Sequence, residues 1–306
     1  MTGWGFCCLS DSGILGCIVW NMEWMNGLPA ALQKELLPLK STLCDVRLFA
    51  GRSGFAVTLN GEKPLRTVTD EGELHESVQR MCDHMLRVSP EKTAQGFITL
   101  RGGHRLGLCG RVTKRENQRA LQEIGSVCIR VAHQIKDCGK ETAELFMRQG
   151  QGMLICGAPG SGKTTLLRDT VRQISDTGIA IGLSDERGEI AACTQGVPQL
   201  DVGTHTHVLA GLDKAQALRW MLRGMCPQVL AMDELCGAEE CAAVREAAAC
   251  GVRTIATAHA GDLLEVCCRK EVAELLEERV FGYVVFVKGR TVTDVVSAEE
   301  ALCCGR

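Results

Sequence analysis

Aromatic side chains are scarce in this sequence: Phe, Trp and Tyr together make up 4% of 306 residues, with a single tyrosine. The net charge is -3 and no block of Lys or Arg occurs, so the chain lacks the basic stripe with interleaved rings that single-stranded nucleic acid requires. No direct nucleic-acid partner is expected. Long apolar runs are missing too. The longest near the start, Ile14 to Trp20, is seven residues and contains Gly16, too short to span a bilayer. No Lys or Arg precedes Lys34, so the start has no positive n-region and export is not expected. Cysteine is abundant at 18, yet no Cys-x-x-Cys spacing occurs, which excludes the usual zinc patterns. Standing singly or in adjacent pairs such as Cys267/Cys268, the cysteines read as small reduced hydrophobes of a cytosolic protein, with redox sensing the lesser alternative. Neither an internal repeat nor a low-complexity linker is present.

What remains is globular in composition, 45% apolar and 23% charged, with length enough for two domains. Residues 1–24 mix Gly, Cys and Trp without periodicity and read as an extension, with Met22 and Met25 as alternative starts. Over 25–136 a small α+β domain is expected. It holds a helix over 28–37 and strands over 43–49, 55–59 and 65–68 with a turn at Asn60-Gly61. A helix over 71–86 and a hairpin of 97–100 with 105–112 complete it. Over 137–306 strands alternate with helices: strands near 152–156, 179–183, 229–232 and 253–257, helices to about Ser175, over 213–225 and over 238–250. A hairpin of 283–287 with 291–296 follows. That alternation predicts an α/β domain with a mostly parallel sheet and crossover helices.

Between the first of these strands and its helix lies Gly157-Ala158-Pro159-Gly160-Ser161-Gly162-Lys163-Thr164, followed by Thr165. Two glycines four residues apart and then Lys-Thr form a P-loop: the turn aims successive N–H groups at phosphate oxygens, and the helix N-terminus adds partial positive charge. Lys163 is expected at the β- and γ-phosphates of ATP and the Thr164 hydroxyl on Mg²⁺. The strand Val229–Met232 ends in Asp233-Glu234. Asp233 is the expected second Mg²⁺ contact, through water, and Glu234 the general base that polarises the attacking water.

His259 closes the next strand and is read as a γ-phosphate sensor, against the alternative of a helix cap. Asp185, Glu186 and Arg187 end another strand; the two carboxylates are candidates to assist water activation and Arg187 to reach a phosphate, against the alternative of a solvated loop. Arg219 and Arg223 lie four apart on one helix face, which suits a subunit interface that carries a nucleotide, or else a solvated face. His205 and His207 have no third ligand nearby and are not read as a metal site.

These strings, with Gln195-Gly-Val-Pro-Gln-Leu-Asp-Val-Gly203 and Gly96-Phe-Ile-Thr-Leu-Arg-Gly-Gly-His104, resemble the stage III sporulation protein AA family of endospore-forming bacteria over about residues 28–296. The likeness implies a relative of the type II and type IV secretion ATPases, with an N-terminal domain ahead of a RecA-like ATPase domain in a homo-oligomer, a hexamer. By it Asp185-Glu186 is the acidic box and His259 the histidine box. Arg219 and Arg223 occupy the arginine helix, and Arg111 and Arg130 are candidates to touch nucleotide from the N-terminal domain. The chain departs from the family pattern at His205 and His207, where Arg and Asp are usual, and at Asp45-Val-Arg47. The resemblance implies a mother-cell, cytoplasmic ATPase, peripheral at the membrane through partners, that energises a channel to the forespore with membrane proteins. Other classes left open are an ATP-binding assembly factor with negligible turnover and a nucleic-acid-dependent ATPase.

Overall fold

Leu74, Val78 and Met81 recur at helical spacing behind Asp70, whose carboxylate accepts from the Glu73 amide while the Glu73 side chain returns the bond to the Asp70 amide. This capping box starts a helix where the sequence places one. The computed structural model describes residues 17–19, 22–82, 97–115, 118–289 and 291–304, so most of the 1–24 extension and the expected helix beyond Cys82 lie outside the described residues. The chain divides into two compact units, the first mainly Val19–His133 and the second mainly Gln134–Arg306. A short strand β1 (Cys17–Val19) pairs with one beginning at Gln134, described below.

The first unit is α+β. Helix α1 (Ala30–Leu36) is followed by the strands β2 (Leu43–Phe49), β3 (Arg52–Thr58) and β4 (Gly61–Val68), helix α2 (Glu71–Met81), and the strands β5 (Phe97–Thr99), β6 (Arg105–Arg115) and β7 (Gln118–Arg130). The six strands form one antiparallel sheet in the order β4-β3-β2-β7-β6-β5. Its buried face gathers Leu43, Val46, Leu106 and Ile129 with Leu32 and Leu36 of α1 and Leu74 and Val78 of α2. Strand β7 was not expected. Register shifts between Cys109/Gly110 and Arg111/Val112 break the alternation along β6–β7, and a bulge displaces the apolar phase by one residue.

In the second unit β8 (Gln134–Lys136) and helix α3 (Lys140–Gln149) lead into β9 (Gly152–Gly157), the P-loop and helix α4 (Lys163–Ser175). Then come β10 (Ile181–Asp185), β11 (Thr206–Ala210), helix α5 (Lys214–Gly224), β12 (Val229–Met232), helix α6 (Ala238–Ala249) and β13 (Arg253–His259). Helices α7 (Leu263–Cys267) and α8 (Lys270–Glu277), the hairpin β14 (Phe281–Lys288) and β15 (Thr291–Ser297), and helix α9 (Ala298–Cys304) complete it. Seven strands form a sheet in the order β11-β10-β12-β13-β9-β14-β15, parallel except for β15. The expected α/β fold with a mostly parallel sheet is what the chain adopts.

Apolar side chains cover both faces. Leu154, Leu230, Met232 and Ala256 pack with Leu218, Met221 and Val244 on one side, while Ile155, Ile181, Leu183 and Ile255 meet Leu167, Val171 and Ile174 of α4 on the other. Burial on both faces is why β9 and β12 are continuous apolar runs. The parallel register sets Gly157 beside His259, and Ser184 beside Met232, so that the carboxyl ends of β9, β10, β12 and β13 share one edge. Ligand chemistry in open α/β sheets is placed at this edge.

Candidate nucleotide site

Two features of the P-loop are dictated by its backbone. Gly162 precedes α4 with φ 102°, where an L side chain would be strained, and a Cβ on Gly157 would meet the Val287 carbonyl oxygen at 2.4 Å. The start of the loop therefore lies close against β14. The buried Ser161 hydroxyl has no hydrogen-bond partner in its surroundings.

Lys163 is buried at the start of α4 and donates to the Gly157 and Ala158 carbonyls at 2.8 and 3.0 Å and to His259 Nδ1 at 3.1 Å. Burial lowers its pKa, while Asp233 and Glu234 oppose that shift. An ammonium has no lone pair, so Nδ1 accepts and Nε2–H is left to donate to Glu234 Oε1 at 3.1 Å. A polar chain thus runs from the P-loop lysine through His259 to Glu234.

Thr164 Oγ1 donates to Asp233 Oδ2 at 2.6 Å, and Asp233 Oδ1 takes the Thr257 hydroxyl. Thr257 Oγ1 also accepts from the Glu234 amide at 2.9 Å. Glu234 itself has φ 53°, rare for a residue with a side chain. Its Oε2 pairs with Arg187 at 2.6 Å, and Lys214 donates to its backbone carbonyl at 2.7 Å. Burial alone would raise its pKa; the hydrogen bond from His259, then the charges of Arg187, His259 and Lys214, outweigh that and hold it low.

Not every expected residue lands on this cluster. Asp185 is buried, and both carboxylate oxygens are consumed by the amides of Glu189, Ile190, Ala191 and Ala192, at 2.8 to 3.2 Å. It folds the loop after β10 rather than facing water. Arg187 pairs with Glu234 while most of its side chain stays exposed. Glu186 lines, with Arg187, Lys214, Asp233 and Glu234, a shallow open recess at the ends of β10 and β12. Arg219 finds its acid within the chain, as its guanidinium binds Glu246 of α6 at 2.8 and 2.9 Å, while Arg223, one turn on, is exposed. Arg111 and Arg130 pair with Glu123 and Asp45 of their own sheet at 3.3 and 3.6 Å. His205 bonds to the Thr204 hydroxyl and the Ser175 carbonyl, and among the described residues no group of three or more His, Cys, Asp or Glu is placed to hold a metal.

Sequence reasoning missed Thr257, Lys214, Glu240 and Arg168. Arg168 is buried, donates to the Ile190 and Glu189 carbonyls at 2.5 and 2.6 Å, and so anchors the Asp185 loop to α4. Their partners lie in other elements, so no local spacing announces them. Only Lys214 carries a signal: a lysine in the first turn of a helix opposes the helix dipole.

A family model described as Sporulation stage III, protein AA matches residues 27–297. The Stage III sporulation protein AA of Bacillus subtilis (strain 168) is 36% identical over 217 residues, which are 68% of this chain and 70% of that protein. Among solved structures, the pilus retraction motor PilT with bound ADP matches with a TM-score of 0.57 at 19% identity, over 85% of this chain and 78% of that one. The ATPase DotB of Legionella pneumophila matches with a TM-score of 0.53 at 18% identity, over 85% and 76%. At such identities the structural likeness is one of fold. No helix among the described residues is long and apolar enough to cross a membrane.

Proposed function

Because the chain belongs to the sporulation stage III, protein AA family, we propose that it hydrolyses ATP as an oligomeric motor of the secretion-ATPase type. The observation that carries this is the meeting of Lys163, Thr164, Asp233, Glu234 and His259 within hydrogen-bond reach at one sheet edge. The Gly157–Thr165 loop takes the phosphates on its amides, and the unpartnered Ser161 hydroxyl and the Lys163 ammonium add donors there. The Thr164 hydroxyl and the Asp233 carboxylate are oxygen donors of the kind that suit Mg²⁺, which when bound neutralises phosphate charge. Glu234, held ionised, accepts a proton from the attacking water. His259 lies between Lys163 and Glu234, so a phosphate that engages Lys163 changes what His259 donates to the base. Glu186 sits in the same recess as a second carboxylate.

Arg223, exposed on α5, is assigned to the nucleotide of a neighbouring copy in a homo-oligomer, a hexamer by family likeness. Residues 25–136 form the N-terminal domain, with Arg111 and Arg130 as its nucleotide-facing candidates, and 137–306 the ATPase domain. The motor works from the mother-cell cytoplasm on membrane proteins of a channel to the forespore. The Arg187–Glu234 ion pair favours a second reading, an ATP-binding assembly factor, because it occupies an oxygen of the proposed base.

ATP hydrolysis against concentration of the full chain, beside Lys163→Ala, tests this. Specific activity that rises with concentration and vanishes in the variant is expected; tight nucleotide binding without turnover at any concentration overturns the motor in favour of the assembly factor. Added DNA or RNA is expected to leave the rate unchanged.

A further inference from the structure

The first turn of α5 holds a buried cation at the wrong end of a helix. Lys214 sits where the helix dipole is positive and the backbone amides already point, an arrangement that local electrostatics opposes. Two acceptors and a nearby carboxylate offset it. Lys214 Nζ donates to the Glu234 carbonyl at 2.7 Å, pairs with Glu240 Oε1 at 3.1 Å, and lies 3.9 Å from Glu186 Oε2. The other oxygen of Glu240 accepts from the Cys236 amide at 2.8 Å and the Gly237 amide at 3.3 Å, which fixes the turn that follows Glu234.

The target of this lysine is the strained residue. Glu234 has φ 53°, and a left-handed conformation at a side-chain-bearing residue persists only where its surroundings over-determine it. Its amide is fastened by Asp233 and Thr257, and its carbonyl by Lys214. The backbone twist decides where the carboxylate points, toward Arg187 and His259.

We propose that Lys214 is a positioning residue for the Glu234 carboxylate: by holding the Glu234 carbonyl and, through Glu240, the turn after it, Lys214 sets the twist that aims the base. Lys214 touches neither phosphate nor water in this scheme and acts through Glu234. The proposal rests on ATP hydrolysis as read above.

The test is turnover and nucleotide affinity of the wild-type chain, Lys214→Met, Glu234→Gln and the double variant, with hydrogen exchange at the segment that spans Glu234. Lys214→Met is expected to lower kcat by about tenfold or more while the Kd for ATP moves by less than about twofold, and to add little to Glu234→Gln. Exchange at the Glu234 segment rises. Wild-type turnover in Lys214→Met, equal losses in kcat and affinity, or losses that multiply in the double variant overturn the proposal. If Lys214→Met does not fold, Lys214→Ala, which removes the donor together with the charge, carries the same readings. A wild-type chain that binds ATP without hydrolysing it defeats the motor reading instead; exchange then decides on Lys214, and an unchanged Glu234 segment overturns the placement.

Discussion

The two units handle charge in opposite ways. Among the described residues the first buries no charged side chain, only Thr58, Thr69, Ser77 and His104 among polar ones, whereas the second buries Lys163, Arg168, Asp169, Arg172, Asp185 and Lys214. In the antiparallel sheet, Arg111–Glu123 and Arg130–Asp45 pair across strands at the surface, where water screens them and their contribution is small. In the parallel sheet both faces are covered, so a charge near its edge leaves water and needs a fixed partner. The two sheets are thus distinguishable by where their charges are held.

Thiol chemistry gives the largest contrast. Burial pushes Cys138 and Cys156 of the second unit up to about 12, while Cys109 of the first is exposed. A thiol near 12 is almost wholly protonated at neutral pH, so the exposed Cys109, together with the exposed Cys226, Cys236, Cys250 and Cys268, should be alkylated by iodoacetamide well before Cys138 and Cys156, which stay unmodified until unfolding. Mass-spectrometric mapping of the modified peptides checks this, and early labelling of Cys156 would break the comparison.

Next in size is Asp185→Ala. It leaves the amides of Glu189, Ile190, Ala191 and Ala192 without their acceptor and Arg168 beside an uncompensated site, and about 3 kcal/mol of stability should be lost. Urea titration reads the loss; a change below about 1 kcal/mol would mean the loop repairs itself with water.

Glu35 provides the first unit's counterpart. Its carboxylate accepts from the Thr67 hydroxyl at 2.5 Å and from the Arg66 and Thr67 amides at 2.7 and 2.9 Å, and the Thr67 hydroxyl bond is the main reason its pKa is lowered. A depressed carboxylate stabilises above its unfolded pKa, near 4.3, and the gain is lost as pH falls through the folded value. Glu35→Gln should therefore cost about 1 kcal/mol at pH 7 and nothing at the acid end. The smallest effect is expected for Arg219→Ala, whose pair with Glu246 lies exposed and screened by water; a measurable loss in stability in a urea titration would mean that this helix face is not simply solvated.

How much of this was legible follows from the range of the interactions. Strands β9 and β12 are unbroken apolar runs, and the P-loop between β9 and α4 is a local string, so both are visible in sequence. Asp70 and Glu73 mark the start of α2 for the same reason. Strand β7 was lost to the bulges that shift its phase, and β11 to its place at the sheet edge, where half-burial leaves Thr206–Ala210 without a clear pattern. At the candidate site, Asp233, Glu234 and His259 sit at strand ends and are marked by position. What Asp185 does was not visible, since its four amide partners and its burial appear only when the chain returns on itself. The same holds for Lys214 and Thr257, whose partners come from separate elements.

The place of β9 in the sheet also bears on how the chain is made. Both neighbours of the P-loop strand, β13 and β14, come from the last fifth of the sequence. As the polypeptide leaves the ribosome, β9 therefore emerges as an apolar strand with two bare edges, one open until Arg253–His259 and the other until Phe281–Lys288 has been synthesised. Pairings so distant in sequence close slowly, and an open apolar strand invites wrong partners in the meantime. The sheet edge that carries the candidate site is completed only near the end of synthesis, and the interval before it closes is when the nascent chain most needs shielding.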